Sequence, residues 1–210
     1  MSTTPSVRID IWSDYVCPFC YLELPIIDQL QELYGRSLIV NWRAFELRPE
    51  PTPMLEPQGE YLRATWERSV FPMAQRRGRP IKLPPIQPRS RIAFEAAEFA
   101  RERFSFDGMH RALFRAFFEE GRDIGDAEVL EDIASGVGLD RKALRSALAT
   151  QRYTDRVLQD QMAARQLGLR AVPAMLLRRF AEPLQQARVF GGAMAYEQVN
   201  AAVATLSATS

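Results

Sequence analysis

Val7-Arg8-Ile9-Asp10-Ile11-Trp12-Ser13-Asp14-Tyr15-Val16-Cys17-Pro18-Phe19-Cys20-Tyr21-Leu22 is the stretch on which the fold turns. From Val7 to Ile11 apolar and charged residues alternate, the period of a β-strand. Pro18 then opens a segment that runs through Leu33 and closes at Gly35. Proline suits the first turn of a helix, where its missing N–H would have no partner anyway. Pro25, inside the same segment, removes one backbone donor and predicts a kink. Leu38, Val40, Trp42 and Ala44 alternate again. The chain therefore begins strand, helix, strand, a βαβ unit with parallel pairing and a right-handed crossover.

The junction between that first strand and helix holds both cysteines of the chain, Cys17 and Cys20. Cys17 falls at the helix N-terminus, where free N–H groups and the positive end of the helix dipole favour a thiolate. Cys20 lies one turn on along the same face, at a spacing that meets the roughly 4.4–6.8 Å between Cα atoms that a disulfide needs. Cys17 reads as the nucleophile and Cys20, deeper in the helix, as the shielded resolving thiol. A structural zinc site needs four ligands, and beyond these thiols the chain offers only His110, some 90 residues away, and carboxylates, so no metal is expected. Two inert buried cysteines are the other bland reading. A C-x-x-C placed where a strand meets a helix in a βαβ unit favours redox chemistry over both.

Working outward, Pro49, Pro51, Pro53 and Pro57 mark a loop, as do Pro80, Pro84, Pro85 and Pro88, with a helical candidate from Gly59 to Gln75 between them. From Ile92 the apolar period becomes helical through Ala96, Phe99, Met109, Leu113, Phe117, Leu130 and Ile133. Asp107, Asp126 and Asp140 stand where N-caps belong, and Gly136 and Gly138 end a helix. A further helix runs from about Tyr153 to Leu167 and stops at Gly168. Short strands follow at Ala174–Leu177 and Arg188–Phe190, then Gly191-Gly192 and an amphipathic helix at Tyr196–Leu206. The predicted class is α/β: one sheet domain built from residues 1–46 and 168–210, split by a helical insertion at 47–167.

The rest of the composition excludes more than it assigns. The 210 residues are 47% hydrophobic and 25% charged, ordinary for a globular chain and unlike a disordered one. The 27 basic and 26 acidic residues nearly cancel, which gives no pull toward nucleic acid or an anionic membrane. Only Lys82 and Lys142 are lysines, an arginine bias read as a habit of composition. The longest apolar candidate, Ala171 to Leu177, falls far short of the roughly 18 residues of a membrane span. Met1 to Ser6 has neither the basic nor the apolar region of a secretory leader, so the expected location is cytoplasmic. There a lone cysteine pair at this spacing is reactive or metal-binding more often than structural.

The motif Asp10 to Leu22, joined with Leu167-Gly168-Leu169-Arg170-Ala171-Val172-Pro173-Ala174, resembles the DsbA-type thioredoxin-like oxidoreductases, and within them the FrnE-like, typically cytoplasmic branch. Arg188-Val189-Phe190-Gly191-Gly192-Ala193 is similar to that family's last strand and turn, so the likeness spans nearly the whole chain. The resemblance implies a thioredoxin-like fold with a helical insertion. It also implies that Pro173 is a cis proline facing the cysteine pair and that the Val172 backbone pairs with an extended substrate. Three positions depart from the pattern: Ala171 and Ala174 where glycine and threonine are common, and Phe19 where some relatives carry histidine or tryptophan. A potential therefore does not transfer within a fold that runs from about −270 to about −120 mV.

The activity expected is thiol–disulfide exchange on a disulfide- or thiol-bearing protein or small molecule, with Cys17, Cys20 and Pro173 catalytic and Tyr15, Pro18, Phe19 and Val172 contacting substrate. No cofactor is expected, and glutathione is the candidate co-substrate. The alternative is a glutathione-dependent isomerase or transferase of small aromatic compounds. The 2-hydroxychromene-2-carboxylate isomerases share the fold but usually carry serine where Cys17 stands. A binding module whose cysteines only sense redox state is a third reading. Among the remaining candidates, Trp12 and Tyr21 read as core, and Tyr15 and Phe19 as exposed apolar contacts. Asp14 reads as a solvated or capping charge, His110 as a surface or packing residue, Arg170 as a solvated loop charge, and Arg76-Arg77-Gly78-Arg79 as a helix end.

Overall fold

The computed structural model of the chain describes residues 5–208. Residues 1–4, within the opening segment that lacks the features of a leader in sequence, lie outside the described residues. Strand β1 (Val7–Ser13) leads through α1 (Pro18–Tyr34) to β2 (Leu38–Ala44), and β1 and β2 pair in parallel with Val7 opposite Leu38. A helical stretch follows: α2 (Glu60–Thr65), a π-helical turn (Trp66–Val70), α3 (Phe71–Arg76), α4 (Arg91–Arg101), α5 (Phe106–Phe118), α6 (Ala127–Gly136), α7 (Arg141–Ala149) and α8 (Thr154–Gln166). The chain then returns to the sheet with β3 (Ala174–Arg179) and β4 (Arg188–Gly191) and ends in α9 (Tyr196–Ala208). The strand order is β2-β1-β3-β4, with β3 antiparallel to both of its neighbours. This is the thioredoxin-like α/β architecture with a helical insertion.

The alternation in β1 arises from a different environment than a strand wetted on one face. Asp10 is fully buried, and it is held by Asn41 Nδ2 at 2.8 Å, Arg43 Nε at 2.9 Å, and Arg8 and Arg178 at 3.3 Å each. Burial pushes its carboxyl up. The hydrogen bonds from Asn41 and Arg43 and the charges of Arg43 and Arg8 outweigh that, so it titrates below its ordinary value. Arg43 also reaches Asp160 of α8 at 2.8 Å, and the Trp12 indole donates to the Asp160 carbonyl at 2.8 Å. The insertion is thus fastened to the central strand by polar bonds as well as by apolar contact.

Helix α1 runs unbroken through Pro25 and buries Leu22, Leu24, Ile26, Ile27 and Leu30. Each such side chain contributes about 1.5–3 kcal/mol when fully buried, enough to carry the donor lost at Pro25. The candidate from Gly59 to Gln75 is one helical run whose middle widens into a π turn just before Pro72. A proline inside a helix lacks the N–H for the i–4 carbonyl, and a π turn is one of the few devices that absorb this. Asp126 and Asp140 cap α6 and α7 through the N–H groups of Glu128 and Ala143. Asp107 does not cap: Ser105 occupies that position in α5, and Asp107 sits in the first turn, where it pairs with Arg111 at 3.0 Å. The insertion core is aromatic, with Phe99, Phe114, Phe117 and Phe118 buried to 1% exposure or less.

Candidate active site

Strand β1 delivers Asp14, Tyr15 and Val16 to the start of α1, and Cys17 takes the N-cap position with extended backbone and Pro18 as first helical residue. Its carbonyl accepts the N–H groups of Cys20 and Tyr21 at 3.1 and 3.2 Å, so the first turn closes around it. The two thiols are not bonded to each other. The Cys17 thiol lies 3.6 Å from the Val172 carbonyl, to which it donates. This brings together two segments that are 155 residues apart in sequence. The Val172–Pro173 peptide bond is cis. The Pro173 carbonyl accepts the Gly192 N–H at 2.8 Å, and Gly192 does so with φ of +81°, a conformation that glycine adopts freely.

Cys17 opens on a groove of about 220 Å³, also lined by Pro18, Phe19 and Val172. The far wall comes from the insertion and carries Met54, Leu55, Tyr61, Leu62 and Trp66. Cys17 itself is 3% exposed and Cys20 is wholly buried behind it. Burial, the neighbouring Cys17 sulfur and its charge hold the Cys20 thiol well above its ordinary value, against the smaller opposing effects of the Asp14 backbone and the Ser13 hydroxyl. The pair is therefore graded in access: one sulfur at the groove and one beneath it. Among the described residues no group of three or more histidine, cysteine or acidic side chains is placed to hold a metal ion.

Two sequence expectations fail here. Tyr15 is not an exposed contact beside Cys17: it is 2% exposed, hydrogen-bonded to His110 Nδ1 at 2.9 Å, and packed on Phe94 and Phe114 at 4.9 and 5.0 Å between ring centres. The insertion supplies an aromatic pocket that buries the ring and satisfies its hydroxyl, which water around Cys17 could only half do. His110 is the packing residue of that cluster; burial, then the charges of Arg111 and Arg101, hold it neutral. Asp14 is not solvated either. It is fully buried and accepts the N–H groups of Leu47 at 2.7 Å and Val16 at 3.3 Å. Desolvation outweighs those bonds and pushes its carboxyl up to about 6. Trp12 and Tyr21 are core, and Arg170 is exposed.

Arg77 is at the end of α3, as the sequence suggests, and it is also a part-buried connector. It pairs with Glu23 of α1 at 2.8 Å and donates to the carbonyls of Leu22 and of Met194, the latter at 2.6 Å. The Met194 N–H in turn reaches Glu23, so α1, the end of α3 and the turn before α9 meet at one ion pair. Neither it nor the far wall of the groove carries a local sequence signal. Only the proline-rich segments at 49–57 and 80–88, which a compact fold must place somewhere, hinted that the wall exists.

A family model for the DSBA-like thioredoxin domain matches residues 8–204. The chain belongs to that family. A curated relative, the uncharacterized protein YwbO of Bacillus subtilis (strain 168), is 35% identical over 176 residues, which cover 82% of this chain and 87% of the relative. The fold is similar to that of a probable DsbA oxidoreductase from Streptomyces coelicolor, with TM-score 0.78 and 24% identity over 95% of this chain and 89% of the other. It is also similar to a 2-hydroxychromene-2-carboxylate isomerase, with TM-score 0.75 and 20% identity over 95% of both chains. A cytosolic disulfide reductase, DsbM of Pseudomonas aeruginosa with GSH, superposes with TM-score 0.67 and 18% identity over 96% of both chains. Solved structures of this fold thus include proteins named as disulfide oxidoreductases and one named as an isomerase.

Proposed function

We propose that this DSBA-like protein is a thiol–disulfide oxidoreductase working through Cys17 and Cys20. The observation that carries the reading is their graded access, with Cys17 at the mouth of an apolar groove and Cys20 one helical turn behind it and wholly buried. The Cys17 thiolate attacks one sulfur of a substrate disulfide, and the other substrate sulfur leaves as a thiolate. Cys20 then loses its proton and attacks Cys17 Sγ, closing the Cys17–Cys20 disulfide and releasing the second substrate thiolate. The substrate gains the two electrons that the cysteine pair gives up, and the reverse sequence oxidises a dithiol. The insertion wall receives the apolar groups that flank the substrate sulfur, and Pro18, Phe19 and Val172 form the near side. Pro173 positions Val172 against Cys17. The substrate is a disulfide- or thiol-bearing protein or small molecule, glutathione is the candidate co-substrate, and no cofactor is required. The cytoplasm is the compartment assigned, that of the Pseudomonas aeruginosa reductase by its name.

Replacing Cys20 with serine removes the resolving thiol and is expected to accumulate mixed disulfides on Cys17, seen as mass adducts released by dithiothreitol. Absence of adducts with both protein and model disulfides overturns the reading. The apolar, aromatic-walled groove beside Cys17 also suits a small aromatic compound held against glutathione, and this favours the isomerase or transferase as the second reading. Glutathione-dependent turnover of an aromatic substrate that survives Cys17→Ser would establish it instead.

A further inference from the structure

Residues 45–59, between β2 and α2, form neither helix nor strand, and Leu47, Arg48, Met54 and Leu55 of this loop line the groove beside Cys17. A loop has few bonds of its own, so whatever holds it decides how open the groove is. Its start is fixed from both sides. The Phe45 N–H donates to the Ser13 carbonyl at 3.0 Å, the Leu47 N–H to Asp14 at 2.7 Å, and the buried Glu46 accepts from Arg91 and Gln161. Beyond Leu47 the pattern changes. Among the described residues, every hydrogen bond that reaches residues 48–53 from elsewhere in the chain comes from one side chain, Arg89. Its Nη1 donates to the Arg48 carbonyl at 2.8 Å and its Nη2 to the Thr52 carbonyl at 3.1 Å, while its Nε lies 3.4 Å from Glu50. The loop then grips itself: Arg48 Nη1 donates to the Pro53 carbonyl at 2.8 Å, and the next two residues are Met54 and Leu55 of the groove wall. Arg89 is itself rooted in the insertion. It follows Pro88, and a Cβ added at Gly125 would stand 2.8 Å from the Pro88 Cβ, so the chain there is packed against the turn before α6.

We infer that Arg89 is the positioning residue of the groove wall: by holding the carbonyls of Arg48 and Thr52 it straps the loop down beside Cys17 and sets how far a substrate reaches the thiol. A planar guanidinium presents its donors as a rigid fork, and hydrogen bonds from a charged donor are roughly twice as strong as neutral ones. The Glu50 contact adds little, since that carboxylate is 81% exposed. With the loop strapped, Cys17 is only 3% exposed although it lines the groove. The inference rests on the exchange reading for what the groove receives, whereas the access it describes is a property of the fold.

Alkylation of the reduced full-length protein by iodoacetamide across a pH series, followed at each cysteine by peptide mapping, tests this. Arg89→Met removes both carbonyl bonds. It is expected to raise the high-pH plateau of the Cys17 rate by about tenfold, the ratio that corresponds to about 1.4 kcal/mol. The midpoint of the pH profile should stay in place, and Cys20 should remain as unreactive as in the parent. Arg89→Lys, which keeps the charge but not the fork, should give a smaller rise in the same direction. Glu50→Gln leaves both carbonyl bonds and should reproduce the parent. In Arg89→Met the preference in kcat/KM for a disulfide peptide with apolar flanks over one with serine flanks should also fall, because Met54 and Leu55 are no longer held in place. A plateau unchanged in both Arg89 variants, a shift of the midpoint alone, a Glu50→Gln rate that matches Arg89→Met, or a Cys20 that becomes reactive together with Cys17 overturns the assignment. A parent that reduces neither peptide contradicts the exchange reading instead, and the alkylation rates still decide the role of Arg89.

Discussion

At the scale of the residue, burial decides what each polar group can do. Cys20 is held protonated by desolvation and by its neighbour, whereas Cys17 lines the groove. Alkylation needs a thiol that is both ionised and within reach of the reagent, and burial denies Cys20 both. Limited treatment of the reduced protein with iodoacetamide should therefore modify Cys17 at least about tenfold faster than Cys20, as peptide mapping by mass spectrometry would show. Equal rates would remove the gradation on which the two roles rest. Asp14 makes a second prediction. Its carboxyl titrates at about 6 in the fold against an ordinary 3.8, so the folded chain holds this proton more tightly than the unfolded chain does. A raised carboxyl stabilises the protonated form: stability falls as pH rises from about 4 through about 6 and is level above, by about 3 kcal/mol for this group alone. Urea unfolding midpoints at pH 4 to 7 should show this loss, and Asp14→Asn should abolish that part of the slope. A variant with an unchanged slope contradicts the burial account. Neither the burial of Asp14 nor that of Tyr15 was legible in sequence, because both depend on Leu47, Phe94, His110 and Phe114 arriving from the insertion.

Among elements, sequence and structure agree where the deciding signal is local. The strand β1, the proline-led α1, β2 and the caps Asp126 and Asp140 all follow from period and capping chemistry that a few neighbouring residues settle. The misplaced cap at Asp107 shows the limit, since Ser105 and Asp107 are both acceptable capping residues and only the helix start chooses between them. The Glu23–Arg77 pair joins three elements and had no signal at all. Burial pushes the Glu23 carboxyl up while Arg77 pulls it back, and the net direction is upward. Arg77→Met strips a buried charge of its partner and is expected to destabilise the fold by about 3–5 kcal/mol in chemical denaturation. Glu23→Gln combined with Arg77→Met removes both charges and should recover much of that loss. A single variant as stable as the parent would show that the pair does not tie α1 to α3.

For the whole molecule, the division of labour is between a sheet that holds the cysteines and an insertion that faces them. The sheet was legible because a βαβ start and a ββα end each carry a pattern of their own. The groove was not, since its far wall is made by Met54, Leu55, Tyr61, Leu62 and Trp66, which are scattered through proline-rich and helical sequence and become neighbours only when the insertion folds back. The division can be tested by changing the wall alone. Leu55→Asn puts an uncharged polar group in the apolar wall and changes neither cysteine. It should lower kcat/KM for a disulfide peptide with apolar flanking residues by about tenfold, as expected when about 1.4 kcal/mol of apolar contact is lost, and leave the midpoint potential of the cysteine pair unchanged. A shift in potential with unaltered selectivity would place the wall's influence on the thiols rather than on the substrate.

The central claim is that Cys17 and Cys20 form one reversible two-electron couple. Equilibrating the protein across a series of reduced and oxidised glutathione, then reading thiol labelling and intact mass, measures this directly. The account predicts a single transition from dithiol to intramolecular disulfide with the two-electron slope, about 30 mV for each tenfold change in the ratio of the two states, lost in Cys17→Ser and in Cys20→Ser. A pair that stays dithiol throughout, or a Cys17 that carries glutathione and goes no further, would contradict it.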